Sequence, residues 1–277
     1  MDKMKKFEGI LFCTDLDGTL YRSDKAVSKR NLDAIEYFKS QGGIFTFITG
    51  RVPEASGEVF NLIKPNAPYG CINGGGIYDG YIGKYLFKEP LPYEAVELLK
   101  YVEEKMPQMG IQFSTEKGVF FHKDNKAMQF FRDVTGLPYK TCDLDNLKDD
   151  IMKIIFADIG EEQMQSLMKL LAEHPKADDF DFVRSAGILY EILPKGVSKG
   201  SLLLKIAAIL GVDKKKTIAV GDYNNDVSMI KTAGLGFAVK NAVDEVKAVA
   251  DYVTVSNNED AIAVIIEGLD KGEFVFK

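Results

Sequence analysis

The feature that most constrains this chain is a set of short, uninterrupted apolar runs that stop at polar clusters. Residues 9–14 (GILFCT), 43–49 (GIFTFIT), 217–222 (TIAVGD) and 234–239 (GLGFAV) show no alternation of polar and apolar side chains. As strands they must be covered on both faces, which is the habit of a parallel sheet sandwiched between helices. The segments between them agree. Residues 28–42 place Leu32, Ile35 and Phe38 at helical spacing, with Ser28 as N-cap and Gly42 as the stop, and residues 198–211 (SKGSLLLKIAAILG) read as an apolar helix bounded by Ser198 and Gly211. Residues 67–73 (APYGCIN) are expected as a third strand, and residues 251–255 (DYVTV) as a last short one.

The middle of the chain has a different character. A helix at 93–106 is followed by two strand-like runs joined by Glu116-Lys117-Gly118, then a helix near 126–134, a strand at 151–158, a helix at 161–174, and strands at 180–186 and 188–194. Hairpins mixed with helices suggest an α+β module inserted into an α/β protein, with limits near residues 83 and 190. The apolar part of residues 128–133 (MQFFRD) is expected in that module's core. A chain of 277 residues exceeds the roughly 250 that one core usually serves.

A net charge of −6 argues against a nucleic-acid or anionic-membrane surface. Three cysteines without paired spacing fit a reducing compartment. Two histidines, His122 and His174, leave no basis for an imidazole or thiolate zinc site. The apolar run after Lys3, Lys5 and Lys6 is too short for a leader or a membrane span. Together these imply a cytoplasmic protein.

Four polar clusters sit where core strands end or core helices begin: Asp15-Leu16-Asp17-Gly18-Thr19, then Thr49-Gly50-Arg51, then Lys195 to Lys199, then Asp222 to Asp226. In an open parallel sheet, ligands bind at the carboxyl ends of the strands, so the four can converge. Asp15, Asp17, Asp222 and Asp226 would then crowd four carboxylates together. Such a group partly protonates unless a cation enters, and an oxygen-rich set suits Mg²⁺. A metal beside Lys199, at a helix start, makes phosphate a natural guest. Thr49 offers a hydroxyl and Gly50 an uncrowded N–H. The roles divide accordingly: Asp15 attacks phosphorus, Asp17 protonates the leaving alcohol and then activates water, Asp222 holds Mg²⁺, and Lys199 and Thr49 bind phosphoryl oxygens. Gly18 lets the chain curl so that both aspartates reach one site.

The motifs DLDGT, ITGR, VSKG and GDYNND, in this order, resemble those of the haloacid dehalogenase superfamily of aspartate-nucleophile phosphatases. The wide gap between the second and third resembles the Cof-type sugar-phosphatase branch. The resemblance implies a Rossmann-like core at 1–82 and 191–277 and an inserted α+β cap at 83–190, hinged near Gly83 and Pro194, that closes over the crevice. It also implies a metal set of Asp15, Asp17 (through its carbonyl) and Asp222, and phosphate contacts from the Leu16 N–H and the Asn225 side chain. Asp226 would orient Lys199 or a metal-bound water. Arg51 is either near the phosphate or structural. Asn73, in an NGGG segment that usually reads Asn-Gly-Ala in this branch, and Asn241, in VKNA, are supporting candidates. The implied substrate is a small phosphorylated metabolite, turned over by a monomer or small homo-oligomer. Transfer of the phosphoryl group to a second sugar position, or a non-enzymatic sensor of a phospho-ligand, are the competing readings; the acid/base Asp17 speaks against the sensor.

Overall fold

The computed structural model describes residues 5–277 except 143, 145, 146 and 148; Lys3 lies outside them. The chain divides into two compact units. The first comprises Met1–Gly50, Gly57–Leu86 and Ser198–Lys277, the second Arg51–Ser56 and Phe87–Val197. The division falls a few residues beyond the limits read at 83 and 190, and it groups Arg51–Ser56 with the second unit.

In the first unit, β1 (Leu11–Thr14) is buried along its whole length. A tight irregular turn, Leu16–Leu20, leads away from it, with Asp17 extended (ψ 119) and Gly18 at φ 79. Helix α1 (Lys29–Ser40) starts where the Ser28 hydroxyl accepts the Asn31 N–H at 3.0 Å, and it buries Ile35 and Phe38 against the sheet. Strand β2 (Ile44–Phe47) and the short α2 (Gly57–Ile63) follow. The next strand forms where the sequence places it but does not join the parallel sheet. Strand β3 (Tyr69–Cys71) meets the β2 end through a parallel bridge between Ile48 and Gly70, the Thr49 N–H bond to the Gly70 carbonyl at 3.0 Å, and Tyr69 stacked on Phe47. It pairs instead with β4 (Gly76–Asp79), antiparallel, in a small sheet completed by β5 (Lys84–Lys88). The turn Ile72–Gly74 reverses the chain too soon for β3 to extend the main sheet.

The second unit holds α3 (Glu94–Lys105), β6 (Gly110–Thr115), β7 (Gly118–Lys123), α4 (Lys126–Thr135), β8 (Lys153–Ala157), α5 (Glu161–Ala172), β9 (Phe180–Ala186) and β10 (Leu189–Pro194). Its strands form an antiparallel sheet in the order β7-β6-β8-β10-β9. Phe113, Ile154, Phe156 and Ile192 on the sheet join Leu98, Val102, Met164, Leu167 and Leu171 of α3 and α5 in one core. The neighbouring register positions carry a buried ion pair, Lys153 to Glu191 at 3.1 Å, with Ser185 donating its hydroxyl to the same carboxylate. The expected burial of residues 128–133 holds only for Met128. Phe130 is 60% exposed, because α4 lays only Ala127 and Met128 inward.

The chain returns to the first unit with α6 (Lys199–Ile209), β11 (Thr217–Gly221), α7 (Val227–Thr232), β12 (Leu235–Ala238), α8 (Asp244–Lys247), β13 (Tyr252–Val253) and α9 (Ala261–Lys271). The main sheet is parallel throughout, in the order β13-β12-β11-β1-β2. Helix α9, unread from sequence, is tied to α1 by the Asn31 side-chain oxygen, which accepts the Ala263 N–H at 3.0 Å. Parallel strands put the ends of β1, β11 and β2 on one edge, and register pairs Thr14 with both Val220 and Phe47. Three of the four polar clusters therefore start side by side. Among the described residues no helix is long and apolar enough to cross a membrane.

Candidate active site

Asp15 continues the strand pattern for one more bond, its N–H donating to the Val220 carbonyl at 2.9 Å, and it is only 6% exposed. The curl that follows needs Gly18: besides its positive φ, a Cβ there would run into the Asp222 carboxylate. Asn241 fastens the same turn, donating its side-chain N–H to the Gly18 carbonyl at 2.8 Å while its oxygen accepts the Asn257 N–H at 2.9 Å. Asp17 faces outward, with the Lys25 ammonium 3.3 Å from its Oδ1. Leu16 and Thr19 are buried, and the Thr19 hydroxyl donates to Asp222 Oδ1 at 2.9 Å.

Lys199 is the first residue of α6, whose N-terminus is closed by a reciprocal Ser198–Ser201 capping box. Its ammonium, fully buried, donates to Asp15 Oδ1 at 2.7 Å and to Asp226 Oδ1 at 2.6 Å. The other Asp226 oxygen accepts the N–H groups of Asp222 and Tyr223 at 2.9 and 3.1 Å. Asp226 is thus a brace, joining the lysine to the turn that carries Asp222.

The electrostatics follow from burial. Loss of water pushes the Asp15 carboxyl up to about 7; Lys199 pulls it down and the Asp226 and Asp17 charges push it up. Burial pushes Asp222 to about 8, helped by the charges of Asp15 and Asp226. For Lys199 burial works against the charge, but Asp15 and Asp226 outweigh it and hold the ammonium above its usual range. One lysine does not balance three carboxylates. One oxygen from each of Asp15, Asp222 and Asp226 lies within 4.8 Å of the others, an all-oxygen set that fits a hard divalent cation. Because both Asp226 oxygens are already engaged, Asp15 and Asp222 are the better donors.

The remaining sequence candidates fall in two places. Thr49 and Asn73 are buried in the first unit, where the Thr49 N–H donates to the Gly70 carbonyl and the Thr49 carbonyl accepts the Asn73 N–H at 3.1 Å. Asn225 Nδ2 donates to Asn73 Oδ1 at 3.0 Å, and a Cβ on Gly50 would stand 2.9 Å from that same oxygen. Arg51 groups with the second unit, its guanidinium donating to the Ala55 carbonyl at 3.2 Å. Lys195 pairs with Asp181 at the surface, and His122 with Glu103. Sequence reading gave no role to Thr19, whose hydroxyl directly after Gly18 was the available signal. Lys25, a lone surface lysine, carries no sequence signal for its pairing with Asp17.

Residues 12–266 match the sequence family of haloacid dehalogenase-like hydrolases. Over 258 residues the chain is 28% identical to the 5-amino-6-(5-phospho-D-ribitylamino)uracil phosphatase YitU of Bacillus subtilis, spanning 91% of this chain and 94% of that protein. Among solved structures, a haloacid dehalogenase-like hydrolase from Bacteroides thetaiotaomicron superposes with a TM-score of 0.81 at 25% identity, covering 93% of this chain and 98% of that one. The subclass IIB sugar phosphatase BT4131 shares the fold, with a TM-score of 0.81 at 24% identity over 94% of this chain and 99% of that one. The agreement runs from β1 into α9 and so takes in every motif that carried the resemblance: the chain belongs to the haloacid dehalogenase-like hydrolases, as a phosphatase of the Cof type.

Proposed function

We propose that the protein is a Mg²⁺-dependent phosphatase of small phosphorylated metabolites, sugar phosphates and related monoesters, acting through an aspartyl phosphate on Asp15. The supporting observation is the buried Asp226–Lys199–Asp15 chain beside Asp222: a nucleophile held by a cation, which Asp226 in turn ties to the turn carrying Asp222. The name of the Bacillus relative describes a phosphate on a ribityl chain, in keeping with a phosphorylated polyol or sugar. Asp15 and Asp222, with the Asp17 carbonyl, would hold Mg²⁺, which supplies charge neutralisation for the phosphoryl oxygens when bound.

A carboxylate oxygen of Asp15 forms a bond to phosphorus as the ester P–O bond breaks, and Asp17 gives its proton to the departing alkoxide. Asp17, now ionised, takes a proton from water. The water oxygen attacks phosphorus, and the P–O bond to Asp15 breaks to release phosphate and restore the carboxylate. Lys199, Thr49, Asn225 and the N–H groups of Leu16 and Gly50 stabilise the phosphoryl oxygens. Arg51, Asn73, Asp226 and Asn241 support these groups. The inserted module, residues 83–190 in the sequence division, selects the alcohol. The setting is the cytoplasm, with no nucleic-acid or membrane partner, as a monomer or small homo-oligomer.

The test is hydrolysis of an aryl phosphate by the purified protein with Mg²⁺. EDTA stops it, and D15N abolishes it while the circular dichroism spectrum is unchanged. Turnover retained by D15N overturns the mechanism.

A further inference from the structure

The segment after β3 is strained in a way its role in chain reversal does not require. Ile72 and Asn73 are consecutive non-glycine residues at φ 57 and 52, and Gly74 follows at φ 116. A β-branched residue in the left-handed region is an outlier, and such outliers persist only where surrounding contacts over-determine them. Both side chains are buried.

The contacts of this turn reach three of the four motif clusters. The Asn73 N–H binds the Thr49 carbonyl at 3.1 Å, and the Asn73 side-chain oxygen lies so near Gly50 that no side chain fits there. The same oxygen accepts from Asn225 Nδ2 at 3.0 Å, across 152 residues of sequence. Gly74 presses on the Ser198 backbone at the cap of α6, one residue from Lys199; a Cβ there would stand 2.5 Å from the Ser198 carbonyl oxygen. The bond from Asn73 fixes the Asn225 amide plane. It consumes one of the two Nδ2 hydrogens and leaves Asn225 Oδ1 buried with no hydrogen-bond partner among the described residues. A buried acceptor without a donor is costly unless a ligand supplies one. The remaining Nδ2 hydrogen and that oxygen suit a phosphoryl group and its attacking water.

We propose that Asn73 is a positioning residue for phosphoryl recognition: the strained Ile72–Gly74 turn holds its amide so that Asn225 and Gly50 meet the phosphoryl group in fixed orientation. This rests on the phosphatase reading and deepens it. Asn73→Gly separates the side chain from the backbone, since glycine keeps the left-handed conformation at no steric cost. With an aryl phosphate and Mg²⁺, N73G lowers kcat/KM by about 10- to 100-fold, the usual loss for a supporting partner of a site residue. Inhibition by inorganic phosphate weakens with it, and the melting temperature stays within a few degrees.

The decisive comparison is a cycle with Asn225→Ala. If Asn73 acts through Asn225, N73G costs less than about twofold further in the N225A background, because coupled residues are not additive. An equal loss in both backgrounds, or wild-type kcat/KM in N73G, overturns the proposal. Should N73G not fold, Asn73→Ser shortens the side chain so that the acceptor for Asn225 is lost and no charge is added. Weakening of phosphate inhibition by about tenfold or more at unchanged melting temperature then supports the positioning role, and unchanged inhibition refutes it. Wild-type turnover that D15N leaves intact counts against the aspartyl-phosphate reading, a result separate from these.

Discussion

Removing divalent cations makes the first unit progressively less stable between pH 5.5 and 8.5, and the sign follows from the two raised carboxyls. Asp15 sits at about 7 and Asp222 at about 8, against about 3.9 for an aspartate in an unfolded chain. The folded state therefore binds these protons more tightly than the unfolded state. Stability is fully present below about pH 4, falls as pH rises, and is lost above about 8. For Asp15 the displacement is about 3 units, and at 1.36 kcal/mol per unit that is about 4 kcal/mol. The two acids repel each other, so the pair releases its protons in linked steps and their separate costs do not simply add. A loss of about 4 kcal/mol corresponds to a fall in melting temperature of roughly 8–16 °C in a chain of this size. A cation bound by Asp15 and Asp222 reverses the loss, and more so at high pH. The assay is calorimetry in EDTA and in Mg²⁺ at pH 5.5, 7 and 8.5, for wild type and Asp222→Asn. D222N removes one of the charges, so it flattens the EDTA curve and abolishes the Mg²⁺ gain. The Glu161 carboxyl, held at about 2 by Arg184, acts only below about pH 4.5 and so outside this window. A melting temperature in EDTA that is flat or rising with pH, or a D222N curve as steep as wild type, refutes the reasoning.

Three further outcomes are expected. Lys199→Met leaves Asp15 and Asp226 buried without their cation; it abolishes turnover and costs about 3–5 kcal/mol in a urea titration at pH 8, with a smaller cost at pH 5.5 where protons replace the lysine. In the second unit, Lys153→Met alone costs about 3–5 kcal/mol by the same measurement, whereas the double variant Lys153→Met with Glu191→Leu returns close to wild-type stability. Asp17→Asn lowers kcat by about 10²- to 10⁴-fold with little change in melting temperature, because its carboxylate is half-exposed and its partner Lys25 is a surface lysine.

Sequence alone resolved the parts of this fold whose patterns are local. Uninterrupted runs such as residues 9–14 mark strands buried on both faces, and Ser28 and Ser198 announce their helices through caps that need only the next three residues. Strand β3 shows the limit: a three-residue buried run reads alike whichever way its neighbours run, and only the turn at Ile72–Gly74 decides for an antiparallel partner. Residues 128–133 show another. Helical spacing predicts that one face is buried but not how far the buried stripe extends, and α4 ends its stripe at Met128. Helix α9 carries a local signal of the same kind in its apolar residues and its Gly272 stop.

The candidate site divides along the same line. Asp15, Lys199, Asp222 and Asp226 are conspicuous because each cluster breaks an apolar strand or opens a helix, and parallel order alone sends those breaks to one edge. What the sequence withholds is which charge meets which. Lys199 lies 184 residues from Asp15 and Thr19 lies 203 from Asp222, so no local pattern records either bond. The same holds for Asn73 and Asn225. Strain at Ile72 has no compositional signature, since a β-branched residue gives no hint of a positive φ, and Asn73 beside it only tolerates one; the strain becomes visible only once three distant segments close on the turn. Chemistry of this kind is written twice, first as residue types placed at strand ends and then as backbone cost accepted to aim them. Only the first is readable before the chain folds.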